Sequence, residues 1–199
     1  MSTISLTLDE IFNLAKKTLL ANGCDDETAS ILADLIMKAE RDGSLSHGLF
    51  RLPAYVSGLK SGKINGKGKP EVKKISPSVI KVLGNNCLAP VVLSKGIPEL
   101  VKAAKENGVA VLAINNSHHM AAMWPETEMI AEQGLVAFAC TSYKPAVAPA
   151  GATKPLLELI QFHLHGHDQE KLQLFMIWQQ LQWQWVKYKL LKEKGIKFH

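Results

Sequence analysis

Long apolar runs are missing from this 199-residue chain. Nothing in it approaches the ~18 residues of a membrane span. The opening MSTISLTLDE has neither the basic nor the apolar region of a secretory leader. Cysteine is scarce: Cys24, Cys87 and Cys140 are far apart, odd in number and in no Cys-x-x-Cys pair. That excludes a disulfide scaffold or a cysteine zinc site and predicts a reducing compartment. Two nucleotide signatures are also absent, Gly-x-Gly-x-x-Gly after a strand and the Gly-x-x-x-x-Gly-Lys loop, so no standard phosphate cradle is predicted. These absences together predict a soluble cytoplasmic protein with no membrane partner.

What is present is ordinary globular composition, 47% hydrophobic and 21% charged. The net charge of +5 lies largely in Lys60, Lys63, Lys67, Lys69, Lys73 and Lys74, set among glycines with only Glu71 opposing. An anionic partner could be met there. No aromatic residue lies between Lys60 and Lys74 to stack bases, however, so a solvated loop is expected and nucleic acid is not.

The first half reads as helices. Thr7 and Glu10 form a Thr-x-x-Glu capping box, and Leu8, Ile11, Phe12, Ala15 and Leu19 recur at helical spacing until Gly23. A second helix opens at the acidic turn Asp25-Asp26-Glu27 and closes at Gly43. A third is predicted over Leu49 to Leu59. The period then changes. Strands are predicted over Val72 to Ile75 and Val79 to Leu83, a helix core over Pro98 to Asn107, and buried strands over Gly108 to Asn115 and Leu135 to Thr141, with a helix over Ala121 to Gln133 between them. The fold class is α/β: an N-terminal helical cap followed by a mixed layer.

Three constellations could carry chemistry. Ser46-His47-Gly48 with Arg51 joins an imidazole able to pass a proton to a planar fork that fits a carboxylate. If helical from Gly48, Arg51 sits one turn from His47. A capping serine, a surface histidine and a solvated arginine are the plain alternative. Asn116-Ser117-His118-His119 lies between a strand end and a helix start, a usual place for ligand groups and equally for capping ones. His163-x-His165-x-His167 would put three imidazoles on one strand face. It sits in a stretch of abnormal composition, and no metal site is predicted there. Up to Pro155 there is one glutamine, whereas Gln161 to Gln184 holds seven, and the tail carries three of the four tryptophans.

The segments SLSHGLFRLPAYVSGLKSGKIN (44–65), INNSHHMAAMWPETEMIAEQGLVAFACTS (114–142) and PAGATKPLL (149–157) resemble, in order, the malate/L-lactate dehydrogenase family of non-Rossmann NAD(P)-dependent oxidoreductases. The double histidine with MAAMWPE and the ending ATKPLL are most similar to its Δ1-piperideine-2-carboxylate/Δ1-pyrroline-2-carboxylate reductases. Other members act on malate, lactate and related 2-hydroxy acids. The resemblance implies proton transfer by Ser46, His47 and His119, and a carboxylate grip by Arg51. It also implies contact of NADPH or NADH with His119, Met120, Ala121, Ala122 and Met123. The substrate would be a small 2-keto or cyclic imino acid, and the intact enzyme a homodimer. The implied organisation is a helical substrate-side region over 1–62, a partial NAD(P)-binding α/β domain over 63–157 and an aberrant tail over 158–199. A non-catalytic binding module using the basic loop is the alternative from another class.

After Leu157 the family continues with GTNP, whereas this chain has Glu158-Leu159-Ile160-Gln161. Codons can be chosen for ELIQFHLHGHDQ that, with one G placed in front and regrouped, spell GTNPISFAWPRP. EKLQLFMIWQQLQWQWVKYKLL then yields GKTPIVYDMATAAMAMGEVQIA in the same frame. Residues 158 to about 191 are therefore expected to be an out-of-frame translation. The family's YDMAT aspartate, which partners the serine and histidine, would be lost with them, and the chain is expected to be inactive alone.

Overall fold

A computed structural model describes residues 5–118, 121–142, 160–166 and 173–176, with 148, 151, 153 and 154 besides. The chain divides into two compact units, 1–126 and 127–199.

The first unit begins with a helical layer. Helix α1 (Leu8–Ala21) starts on the expected capping box: Thr7 Oγ1 accepts from the Glu10 amide at 3.2 Å, and Glu10 Oε2 accepts from the Thr7 amide at 2.8 Å. The bonds that the Thr7 amide and hydroxyl donate to it hold the Glu10 carboxyl below its usual range. Helix α2 (Asp26–Arg41) is capped by Asp25, whose Oδ1 accepts from the Thr28 amide at 2.9 Å. Burial pushes the Asp25 carboxyl up, but its bonds from Thr28 and Lys69 outweigh that, and it lies below the ordinary range. Helix α3 (Leu52–Lys60) follows two single 3₁₀ turns, Leu45–His47 and Leu49–Arg51, with Pro53 in its first turn, where no amide is needed. Ile11, Ala15 and Leu19 of α1, Leu32 and Ile36 of α2, and Leu52 and Tyr55 of α3 close one apolar core. Ile64 and Leu88 belong to it as well, so the core runs across the expected boundary at 62.

A three-stranded sheet forms the other layer. Strands β1 (Glu71–Ser76) and β2 (Val79–Leu83) make an antiparallel hairpin with a bulge between Lys74 and Ser76. Helix α4 (Ala89–Asn107) then crosses over to β3 (Val111–Asn115), which pairs parallel with β2. Val82, Cys87, Val91 and Val92 form a second core, with Leu112 and Ile114 against it.

Two expectations are corrected here. Helix α4 begins nine residues before Pro98, which stands inside it. An interior proline costs about 3 kcal/mol, and the burial of Val91, Val92 and Ile97 on this helix offsets that. The helix ends where expected, at Gly108 with φ +80°, a conformation glycine adopts at no steric cost. The predicted buried strand over 108–115 shrinks to Val111–Asn115 and is buried on one face only, with Val111 56% exposed. Leu112 and Ile114 turn to the core while Val111 and Ala113 turn away, because successive strand residues alternate between faces.

Helix α5 (Trp124–Ala131) is shorter than the expected 121–133 and contains the division between the units. In the second unit, β4 (Ala137–Ser142), β5 (Ile160–His165) and β6 (Gln173–Met176) pair antiparallel in that order. Strand β4, expected to be buried, exposes Phe138 to 62%. The tail, in which an out-of-frame translation is expected, holds β5 and β6. His163 and His165 fall on β5, and His167 lies outside the described residues. Among the described residues, no helix is long and apolar enough to cross a membrane, and no group of three or more His, Cys, Asp or Glu could hold a metal ion.

Candidate active site

The segment that carries His47 and Arg51 is shaped by the end of α2. Gly43, at φ +72°, turns the chain out of the helix. The 3₁₀ turn Leu45–His47 follows, closed by a bond from the His47 amide to the Ser44 carbonyl at 2.8 Å. His47 Nδ1 lies 3.0 Å from Ser46 Oγ and 3.3 Å from Ser44 Oγ. Two hydroxyls thus converge on one ring nitrogen, one from the expected Ser46 and one from Ser44, which the sequence had not singled out. A hydroxyl can donate to or accept from Nδ1, so either histidine charge state keeps a partner there.

Gly48 separates the two 3₁₀ turns, with φ −86° and ψ −136°. Helical geometry therefore starts at Leu49, where the third helix was predicted to begin, although it opens as a 3₁₀ turn before α3. The reason is Glu40. Its Oε1 accepts from the Leu49 amide at 2.7 Å and caps the second turn from nine residues away. An added Cβ on Gly48 would fall inside the Glu40 carboxylate. Glycine is thus required at 48 for room, not for a left-handed backbone. Gly48→Ala is expected to force Glu40 off the Leu49 amide at a cost of about 1–3 kcal/mol. Urea unfolding midpoints would show this, and an unchanged midpoint would mean that Glu40 moves aside freely.

Arg51 closes the second turn, its amide donating to the Gly48 carbonyl at 2.9 Å. Its Nε is buried and has no hydrogen-bond partner among the described residues. Next along α3, Tyr55 is fully buried; burial pushes its phenol up to about 12, although the nearby Arg51 charge acts to lower it.

The second expected motif reaches the first through Trp124. The indole ring centroid lies 6.1 Å from that of His47 at an interplanar angle of 77°, an edge contact. Indole Nε1 donates to Asp42 Oδ2 at 3.2 Å. His119 and Met120 lie outside the described residues. Ala121, Ala122 and Met123 are buried, so their side chains are packed inward and this stretch offers a ligand mainly backbone. Neither Trp124 nor Asp42 had been singled out as a site residue. Trp124 stands inside the MAAMWPE segment that carried the resemblance, but Asp42 carried no local signal at all.

The basic run is partly neutralised. Lys69 pairs with Asp25 at 3.0 Å and with Glu27 at 3.4 Å, Lys73 with Glu71 at 3.7 Å and Lys74 with Glu106 at 3.9 Å, while Lys95 also binds Glu27. These carboxylates weaken the loop as an anion-binding face.

The profile of the malate/L-lactate dehydrogenases matches residues 6–158. The chain belongs to that family. Within it, the Δ1-pyrroline-2-carboxylate/Δ1-piperideine-2-carboxylate reductase of Pseudomonas syringae pv. tomato is 39% identical over 77% of this chain and 45% of its own length. The crystal structure of the delta1-piperideine-2-carboxylate reductase from that organism superposes with a TM-score of 0.75 at 38% identity, covering 81% of this chain and 49% of the other. The malate dehydrogenase of Pyrococcus horikoshii gives a TM-score of 0.80 at 30% identity over 87% of this chain and 50% of its own. The chain thus spans about half the length of the family members it matches. The mixed α/β architecture is that of the family, whose members depend on a nicotinamide cofactor.

Among the described residues, the polar groups suit a substrate's carboxylate and proton. They do not amount to a cradle for a dinucleotide.

Proposed function

We propose that residues 5–157 are the N-terminal half of an NAD(P)H-dependent reductase of a cyclic imino acid, Δ1-pyrroline-2-carboxylate or Δ1-piperideine-2-carboxylate, with the substrate-side groups before residue 62 and part of the cofactor domain after it. We propose also that this chain alone does not turn over, because its sequence from 158 is out of frame. One observation carries the substrate assignment. In adjacent turns the chain holds an imidazole fixed at Nδ1 and a guanidinium whose Nε is buried and has no partner among the described residues. Leaving a buried donor unmade costs about 1–3 kcal/mol. A carboxylate supplies the missing acceptor, and a planar guanidinium can take it through two charge-assisted bonds.

A nicotinamide, when bound, supplies hydride to C2 of the imine. The chain's own share is positional. Arg51 holds the carboxylate and fixes which face of the planar ring is presented. His47, backed by Ser46 and Ser44, holds the proton destined for the ring nitrogen, with His119 the second candidate donor. His119, Met120, Ala121, Ala122 and Met123 would contact the cofactor, as the family resemblance implies. The complete enzyme is proposed to be a cytoplasmic homodimer, as the family resemblance implies. Reduction of malate- or lactate-type keto acids would use the same two groups, the proton going to oxygen instead. The match to imino acid reductases at 39% identity favours the imine.

The test is a titration of the native chain with pyrrole-2-carboxylate, a planar unreactive analogue, followed at the Arg51 Nε–H resonance. Saturable displacement of that resonance is expected, with the Arg41 Nε–H resonance left in place. An Arg51 resonance that stays in place at millimolar analogue would overturn the carboxylate assignment.

A further inference from the structure

Asp42 lies outside the motifs that pointed to the function, and Trp124 was given no role within them, yet Asp42 holds Trp124 and Trp124 meets His47. Asp42 closes α2, its amide donating to the Lys38 carbonyl at 3.0 Å. Its carboxylate is held at both oxygens: Arg41 Nε meets Oδ1 at 2.7 Å and an Arg41 terminal nitrogen meets Oδ2 at 3.0 Å. A two-point fork of this kind fixes the plane of the carboxylate as well as its place. Oδ2 then accepts the Trp124 indole N–H at 3.2 Å. The bonds from Arg41 first, and that from Trp124 after opposing burial, keep the Asp42 carboxyl below its usual range, so it remains an acceptor at neutral pH. The indole lies edge-on to the imidazole.

We propose that Asp42 and Trp124 are positioning residues for His47: the carboxylate at the end of α2 orients the indole, and the indole sets the plane of the imidazole ring.

The physical need is specific. Rotation about the histidine Cβ–Cγ bond has broad minima, so the backbone does not choose the ring plane. The serine hydroxyls at Nδ1 restrain one atom, but hydroxyls rotate and can follow a tilting ring. A rigid aromatic surface on a second side removes that freedom. The indole can do so only if it is itself fixed, and its N–H on Asp42 fixes it. Pro125, directly after Trp124, restricts the backbone from which the indole projects. Proton transfer depends on direction, so a ring held in one plane aims its proton at one place. That use of the ring rests on the reductase reading; the positioning does not.

The experiment uses the full native chain with its histidine rings labelled with ¹⁵N and ¹³C, and requires no turnover. Trp124→Leu is expected to abolish the ring-current displacement of the His47 ring protons. Asp42→Ala, with the indole still present, is expected to lose more than half of that displacement. Asp42→Asn keeps an acceptor and is expected to restore most of it, which a general loss of packing would not allow. The proposal is overturned if Asp42→Ala leaves the His47 ring shifts at native values while far-ultraviolet dichroism shows a folded chain. Should Asp42→Ala fail to fold, Trp124→Phe decides, because it keeps a ring and deletes the donor. Narrowed displacement supports the proposal, and shifts scaled only by the smaller ring current overturn it. The pyrrole-2-carboxylate titration reports on Arg51 separately, so either reading can fail without the other.

Discussion

Joining residues 1–157 to the C-terminal half of the Pseudomonas syringae reductase is expected to give reduction of Δ1-pyrroline-2-carboxylate at least roughly 10³-fold faster than the native chain. The expectation follows from what each half contributes. Residues 5–157 hold a fixed imidazole and a guanidinium for the carboxylate, whereas hydride must come from a cofactor held a few ångströms from C2. Placement of reactants can lower a barrier by about 7–11 kcal/mol, and half a site supplies little of that. The family match ends at residue 158, where the out-of-frame reading begins. NADPH absorbance reports the rate, and dichroism reports whether the fusion folds. In the fusion, Arg51→Lys should raise the apparent KM at least about tenfold, the loss of one charge-assisted bond. Native-chain turnover at the rate of the fusion would contradict the proposed loss of function. A folded but inert fusion would contradict the assignment of the first half.

Tyr55→Ala should be the most destabilising single substitution in the helical layer. Tyr55 is fully buried among residues from α1, α2 and α3 and is the largest fully buried side chain among the described residues. Removing a buried aromatic costs about 3–5 kcal/mol, transfer and cavity terms together. Whole domains are stable by only about 5–15 kcal/mol. The urea midpoint should fall steeply, and the Arg51 turn should loosen with α3, which follows it directly. Tyr55→Phe retains the ring and should lose only about 0.5–1.5 kcal/mol, the net value of one hydroxyl bond. If the alanine variant unfolded within about 1 kcal/mol of native, cavity collapse would be easier than this close-packed core implies.

Local chemistry explains which elements were legible. The caps at Thr7 and Asp25 and the stop at Gly108 act within one helical turn, so residue type and spacing suffice to place them. The first half of α4 was hidden because Pro98 reads as a helix start. Only the burial of Val91, Val92 and Ile97 against the sheet shows that the helix runs through it. Strands β3 and β4 read as fully buried because apolar runs do not reveal whether one face or two are covered. In β3, Val111 stands exposed beside Leu112, which turns to the core.

The site divides in the same way. Ser46, His47 and Arg51 lie within six residues, and their types fit proton transfer and carboxylate binding as well as a cap, a surface histidine and a solvated arginine; the family resemblance is what implies the former. Glu40 under Gly48, Ser44 on Nδ1, and the Asp42–Trp124 bond across 82 positions carried no such signal. By itself the sequence determined the family, the helical caps and the point at which the familiar pattern stops, and it nominated the reactive groups, since each is written in neighbouring residues. Only the tertiary structure decided which carboxylate holds the glycine turn, which arginine nitrogen has no partner among the described residues, and which indole meets the imidazole. Those facts depend on atoms brought together by packing, and packing distance bears no fixed relation to distance along the chain.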